Sequence, residues 1–204
     1  SSDRLDGLHR HPRLAADLAS TADRDALVAR AAAMAPLGGL VVGASRFERT
    51  PPGDEADVRP ALALDLEAPL ELALRLAPHM VSGARIVLFG DAGTALGWPS
   101  YPAYLAAKGG IEAAASSLAH RLGPEIVVLA VAPGAVEGAP PPPQGAIRHR
   151  TALGRMATPE EVARAILRFA ALPPTVSHGR ILVVDGGRRL FPPGSFVDPG
   201  SGGS

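Results

Sequence analysis

The sequence predicts an α/β fold: a doubly wound parallel sheet with helices on both faces, in three layers. Two observations predict it. Short apolar runs recur along the chain and alternate with longer helix-like segments. The runs are apolar throughout rather than alternately polar and apolar, which is the pattern of strands buried on both faces.

Taken in order, residues 13–18 (RLAADL) read as a short strand and residues 22–35 as a helix capped by Ser20 or Thr21. GLVVGA (39–44) reads as a buried strand. A long helical stretch follows over 55–80, where Leu62, Leu66, Leu70 and Leu74 recur at i, i+4 spacing. Pro60 and Pro69 lie inside it and must kink or divide it, because proline lacks a backbone donor and crowds the preceding turn. RIVLF (85–89) is the next buried strand, and a loop with Gly and Pro leads to a helix over 102–122. EIVVLAV (125–131) follows as a strand, and then the consecutive prolines within 139–143 form a stiff loop. Thr158-Pro159-Glu160-Glu161 signals a helix start: a cap, a proline in the first turn and acids at the positive end of the helix dipole. That helix runs to residue 172, and RILVV (180–184) is the last strand. The expected organisation is one domain over 1–191 and a loose Pro-, Gly- and Ser-rich tail over 192–204.

Hydrophobic residues make up 47% of the 204, enough for a core of ordinary size. Lys plus Arg equals Asp plus Glu at 20 each, a balance that offers no field to draw in a nucleic acid or an anionic membrane. Neither is expected as a partner. The absence of cysteine excludes disulfides, thiolate catalysis and Cys-type zinc sites, and no metal is expected. The polar opening residues SSDRLDGLHR do not read as a secretory signal, and no apolar run approaches bilayer-spanning length, so the expected location is the cytoplasm.

The chemistry concentrates in DAGTALGWPSYPAYLAAK (91–108). Tyr104 and Lys108 stand four apart on a predicted helix and share one face. An ammonium beside a phenol favours the phenolate and lowers the Tyr pKa from about 10, which suits a proton donor and acceptor. Asp91 follows the RIVLF strand, and the carboxyl ends of parallel strands line the ligand crevice, so Asp91 is placed to meet the Tyr-Lys face. Tyr101 has Leu105 rather than Lys four residues on. Taken alone, Tyr-x-x-x-Lys is a common chance pairing, and an Asp after a strand is most often a turn former. Trp98 lies in the loop before the helix, either at the substrate or in packing. His79, His120 and His149 are isolated and read as surface or capping residues.

The order and spacing of these pieces resemble the short-chain dehydrogenase/reductase family from about residue 13 to 190. RLAADLASTADRDALV resembles the family's third strand and following helix, GLVVGAS its fourth strand, ALALDLEAPL the helix that carries a family Asn, and YLAAK its Tyr-x-x-x-Lys motif. VAPGAV (131–136) resembles the Pro-Gly turn that faces the nicotinamide, and GRILVVDGG the closing strand and glycine pair. The resemblance implies a Rossmann-like fold and an NADP(H)-dependent reductase, with NAD(H) as the alternative. It implies Tyr104 as proton donor, Lys108 on the nicotinamide ribose, and Asp91 and Asp65 in the proton relay. Asp17 would contact the adenine, and Gly43, Ala44, Pro133, Gly134 and Val136 would line the cofactor. Residues 137–155 would form a substrate lid. Asp91 thirteen residues before Tyr104, and GASRFERTP (43–51), resemble the pteridine reductases, which implies a small-molecule carbonyl or pterin-like substrate. Members commonly form homodimers or homotetramers through the long helices, here around 62–80 and 104–122, where Ala113, Ala114, Ala115 and Ser116 permit close packing.

Three features depart from the family pattern. The family's glycine-rich phosphate loop is absent, and SSDR resembles the segment just after its second strand, so roughly 40 residues, one strand-helix-strand unit, are expected to be missing. Asn-Asn-Ala-Gly has become Val42-Gly43-Ala44-Ser45, and Asp65 stands where the family has Asn. These departures define a rival expectation: a catalytically inactive relative serving as a binding or assembly subunit.

Overall fold

A computed structural model describes residues 12–53, 57–138 and 151–190. The expected lid falls mostly, and the C-terminal tail and His149 wholly, outside the described residues. The elements in chain order are α1 (Thr21–Ala32), β1 (Leu37–Val42), α2 (Arg59–Leu62), a π-helical turn (Ala63–Glu67), α3 (Ala68–Leu76), β2 (Met80–Phe89), α4 (Pro102–Leu122), β3 (Ile126–Pro133), α5 (Pro159–Ala171), α6 (Pro174–Ser177) and β4 (Ile181–Val184). All strand pairs are parallel, in the order β1-β2-β3-β4.

The central strands β2 and β3 are covered on both faces, as in a Rossmann-like α/β fold, whereas β1, expected to be buried, is largely exposed and buries only Val42. Side chains alternate along β2: Ile86 and Leu88 enter a core built with Val28 of α1, Leu72 and Leu76 of α3, and Ile111 and Leu118 of α4. Val87 enters the opposite core, with Val127, Leu129 and Val131 of β3 and Phe169 of α5. β3 is buried from Ile126 to Ala132, so its continuous apolar run reflects burial on both faces.

Helix termini form where the sequence supplies their chemistry. Ser20 caps α1 by accepting from the Asp23 amide. Thr158 and Glu161 close a reciprocal capping box on α5. The Arg155 side chain and, after it, the Thr158 amide hold the Glu161 carboxyl down at about 2. Buried Arg24 ties α1 to the π turn through Glu67 (2.8 Å) and to α3 through Glu71 (2.6 Å), and donates to the Leu18 and Ala19 carbonyls.

Three further expectations are corrected. Residues 13–18 form no strand: residues 12–17 are irregular and lead into the turn before α1, because no described strand lies alongside to complete a ladder. The helical stretch expected over 55–80 ends at Leu76, and Met80 already begins the ten-residue strand β2. The stretch is divided, as its prolines require. Pro69 has no amide to give the Asp65 carbonyl, and the chain answers with a π turn in which the Ala68 amide reaches back to Ala63. The extra residue resets the helical phase, so the leucines at i, i+4 do not form the buried stripe. Leu74 is exposed, and Asp65, Ala68, Pro69, Leu72, Ala73 and Leu76 face inward.

His178, which the sequence did not single out, is structural. Its Nδ1 accepts from the Val128 amide (3.3 Å), and its Nε2 lies 3.1 Å from the Ala119 carbonyl, so the neutral ring joins β3 to the end of α4. Replacing His178 with Ala is expected to cost about 1–2 kcal/mol, for two lost hydrogen bonds at part-buried groups. Urea unfolding checks this, and an unchanged midpoint contradicts it.

Candidate active site

Parallel register brings the carboxyl ends of all strands to one edge: Val42 pairs with Leu88, Phe89 with Val131, and Pro133 with Val184. The residues just beyond, Gly43, Asp91, Gly134 and Asp185, therefore border one crevice. Gly134 is required there, since a Cβ on it would fall 2.8 Å from Asp185 Cα.

At this edge Tyr104 Oη donates to Asp91 Oδ2 at 2.7 Å. The other oxygen of Asp91 accepts from the Gly93 amide at 2.6 Å and so caps the following turn (Ala92–Ala95). Lys108, one helical turn along α4, is 3% exposed and holds its Nζ 2.8 Å from Asp65 Oδ1, on a carboxylate that is 0% exposed. Lys108 also donates to the Phe89 carbonyl (3.2 Å) and lies 5.6 Å from the centre of the Tyr104 ring. The Asp65–Lys108 pair depends on close helix approach. A Cβ on Gly110 would fall 3.0 Å from Leu66, so glycine lets the π turn settle against α4.

The electrostatics differ from the expectation in one respect. Burial, then the charge of Asp91 and the hydrogen bond to it, push the Tyr104 phenol far above its usual value. Asp65 adds to this, and the Ser45 hydroxyl pulls the other way. The predicted lowering by Lys108 does not appear, because Asp65 takes up the Lys108 charge at contact distance. Burial also raises the Asp91 carboxyl above the ordinary carboxylate range, against the opposing pull of the Tyr104 and Gly93 hydrogen bonds.

An aromatic group closes over the phenol. Phe47 stacks on Tyr101 (4.3 Å between centroids, 9° between planes) and meets Tyr104 edge-on at 5.0 Å. The segment that carries Phe47 is fastened to α4: the Thr50 amide donates to the Ser100 carbonyl (2.9 Å), and Thr50 Oγ1 accepts from the Ala103 amide (3.1 Å). Trp98 packs: its ring meets Phe47 and Tyr101 edge-on, lies under Arg188 and leaves no room for a Cβ on Gly93.

The structure thus brings together Tyr104, Lys108, Asp91 and Asp65, with Gly43 and Ala44 exposed beyond β1. Pro133 ends β3, and Val136 forms an isolated bridge with Ala157 at the threshold of the expected lid. Asp17 is not joined to this group: its side chain accepts from the Ala19 amide, and its own amide donates to Asp23, in the turn that starts α1. Ser45 and Phe47 are neighbours of the phenol that residue-level reading did not single out. The only signal for them was the GASRFERTP segment. Among the described residues no group of His, Asp or Glu is arranged to hold a metal ion, and no helix is long and apolar enough to cross a membrane.

Comparison with known proteins gives a consistent result. Residues 5–189 match the family model described as enoyl-(acyl carrier protein) reductase. An uncharacterised short-chain type dehydrogenase/reductase of Sinorhizobium fredii is 39% identical over 140 residues, which are 64% of this chain and 26% of that protein. A ketoacyl reductase of the granaticin polyketide synthase from Streptomyces violaceoruber is 31% identical over 74% of this chain and 66% of its own length. Cis-4-hydroxycyclohexanecarboxylate dehydrogenase of Sinomonas cyclohexanicum is 34% identical over 89% of this chain and 78% of its own length. The chain therefore spans about a quarter of the first of these relatives and about two thirds of the second. Among solved structures, a Burkholderia cenocepacia short-chain dehydrogenase in complex with NADP superposes with a TM-score of 0.80 at 26% identity, covering 91% of this chain and 80% of that one. BdcA in complex with NADPH gives 0.79 at 25% identity, covering 91% and 78%. Family model, relatives and fold agree: the chain belongs to the short-chain dehydrogenase/reductase family.

Proposed function

We propose that this chain is an NADP(H)-dependent reductase that acts on a small carbonyl compound, or on a pterin-like C=N bond, through a relay of Tyr104, Lys108, Asp91 and Asp65. The observation that carries the reading is the 2.7 Å hydrogen bond from Tyr104 Oη to Asp91 Oδ2, set beside a buried Lys108–Asp65 pair at the carboxyl edge of a parallel sheet.

The residues present suit a nicotinamide. A Cβ on Gly43 would come no nearer than 3.7 Å to the Phe89 ring, so the surface beyond β1 is open to a flat ring. Lys108 is ion-paired with Asp65 and donates one hydrogen bond, to the Phe89 carbonyl, so its three ammonium donors are not all used and a ribose hydroxyl could be met. Gly43, Ala44, Pro133, Gly134 and Val136 would line that face, and Asp17 would approach the adenine. When bound, the reduced nicotinamide supplies the hydride. Tyr104 gives its phenolic proton to the substrate oxygen or nitrogen as the hydride arrives at carbon. Asp91, whose pKa is raised by burial, would in its protonated form donate in the opposite sense across the same contact and return a proton to the phenolate, taking its own replacement from water. Phe47, exposed on one side and stacked on Tyr101 on the other, offers a flat apolar wall to a ring-shaped substrate.

The NADP- and NADPH-bound neighbours support the choice of cofactor, and the cis-4-hydroxycyclohexanecarboxylate dehydrogenase and ketoacyl reductase relatives support a carbonyl substrate. Assembly as a homodimer or homotetramer would use the exposed Ala113 and Ser116 of α4. Ala115 is unavailable for it, being buried in the chain's own core. The test is fluorescence titration with NADPH, followed by turnover on cyclic ketones, a β-ketoacyl thioester and a reduced pterin. Binding with turnover supports the reading. Neither binding nor turnover replaces it with the assembly-subunit reading.

Asp91→Asn gives a second check. A carboxyl whose pKa is raised on folding contributes stability below its unfolded pKa and loses it as pH rises through the folded value. Asn has no such loss. The variant is expected to melt higher than wild type at neutral pH, with the gain vanishing in acid, while turnover falls about a hundredfold. Thermal melts across pH with parallel kinetics measure both, and a variant less stable at neutral pH than in acid, relative to wild type, contradicts this.

A further inference from the structure

We propose that Glu112, one helical turn beyond Lys108 on α4, is a positioning residue that holds Asp91 in register with Tyr104. The proposal rests on the reading of Asp91 as part of the relay. Two donor groups from the turn after β2 reach the Glu112 carboxylate. The Asp91 amide donates to Oε1 at 3.3 Å, and the Thr94 hydroxyl lies 3.2 Å from Oε1 and 3.3 Å from Oε2. Thr94 Oγ1 also lies 2.9 Å from the Asp91 carbonyl, so this one hydroxyl touches both the carboxylate and the backbone it holds.

Space for Glu112 is made by the neighbouring backbone. A Cβ on Gly90 would fall 2.5 Å from Glu112 Oε1 and 2.7 Å from its Cγ, so the bare glycine before Asp91 leaves the carboxylate its room in this position. Tyr104, Lys108 and Glu112 lie at i, i+4 and i+8 on α4 and present one face to the end of β2. Two of them touch the Asp91 residue at opposite ends: Tyr104 at its carboxylate and Glu112 at its amide. Asp91 is thereby clamped at both ends to a single helix, which fixes the phenol–carboxylate geometry before any substrate arrives.

A clamp of this kind also acts through charge. The groups facing Asp91 are Tyr104, Lys108 and Glu112 from α4, with Asp65 of the π turn behind Lys108 and Arg188 against Trp98 on the far side of the turn. Of these, Glu112 is a like charge that favours the protonated form of Asp91, while Lys108 opposes it. Glu112 therefore contributes to keeping Asp91 able to carry a proton.

The test uses Glu112→Gln, Glu112→Ala and Thr94→Val, read by carbon NMR titration of the Asp91 carboxyl and by turnover. Gln keeps an oxygen acceptor and removes the charge. The Asp91 inflection is expected to move to lower pH by about half a unit, with a smaller loss of turnover than in the Ala variant. Ala removes the acceptor as well, and turnover is expected to fall about tenfold with KM for the nicotinamide unchanged. Thr94→Val leaves the charge in place and is expected to lower turnover without that downward shift. An Asp91 inflection that stays put in Glu112→Gln, or turnover unchanged in Glu112→Ala, overturns the proposal. The NMR titration needs no substrate, so a failure of the reductase reading shows as absent turnover beside an intact shift. A failure of the Glu112 proposal shows in the titration itself.

Discussion

Asp65→Ala is expected to destabilise the protein by about 3–5 kcal/mol and to abolish activity, because it strands a charge in the interior. Lys108 and Asp65 are 3% and 0% exposed, so neither can turn to water when its partner is lost. The Phe89 carbonyl at 3.2 Å is then the main remaining partner of the ammonium. Asp65 also receives the Arg46 amide at 3.4 Å, a contact that connects the π turn to the segment carrying Phe47. Asp65→Asn separates the structural from the electrostatic part. An amide keeps an oxygen for Lys108 and removes the negative charge that helps to raise the Tyr104 phenol. Its stability loss is expected to be smaller than that of the Ala variant. With that charge gone, the Tyr104 phenol is held less far above its usual value. Chemical unfolding and turnover of the two variants measure the two parts. Equal stability losses in both variants contradict this account.

Tyr104→Phe is the second large effect. The ring is buried and held edge-on to Phe47 at 5.0 Å, so Phe preserves the packing and removes only the hydroxyl. What is lost is the proton donor and its hydrogen bond to Asp91. Turnover is expected to fall by about a hundredfold to ten-thousandfold, the range for removing general acid catalysis, with KM little changed. Stability is expected to change by about 1 kcal/mol or less, because the buried Asp91 carboxylate retains the Gly93 amide. Undiminished turnover means that the proton comes from elsewhere.

The contrast between these sites shows what the sequence made legible. Tyr104, Lys108 and Asp91 follow from local rules: four residues make one helical turn, and an acid after a parallel strand lies at the crevice. Their approach could be read without a structure. The Asp65–Lys108 contact could not, because it depends on a π turn forced by Pro69 and on the missing side chain of Gly110, which together set the phase and distance between two helices. The direction of the Tyr104 shift was misread because burial, followed by the Asp91 charge, sets it, while the nearest lysine is ion-paired with a residue forty-three positions earlier. The strand expected over 13–18 failed on a non-local condition, as a strand exists only beside a partner. Composition and apolar runs were sufficient for the sheet, whose buried strands announce themselves whatever their neighbours. The edge of β1 away from β2 carries no described strand, and Val41 of that strand is 62% exposed.

The most direct test of the central claim is isotopic. NADPH carrying deuterium at the transferring position is mixed with the protein and a ketone that it turns over, and the product is examined by mass spectrometry, for wild type and for Tyr104→Phe. The account predicts deuterium on the carbinol carbon of the product, formed at least about a hundredfold more slowly by the variant. Transfer at equal rates by both proteins, or a product without deuterium, would contradict it.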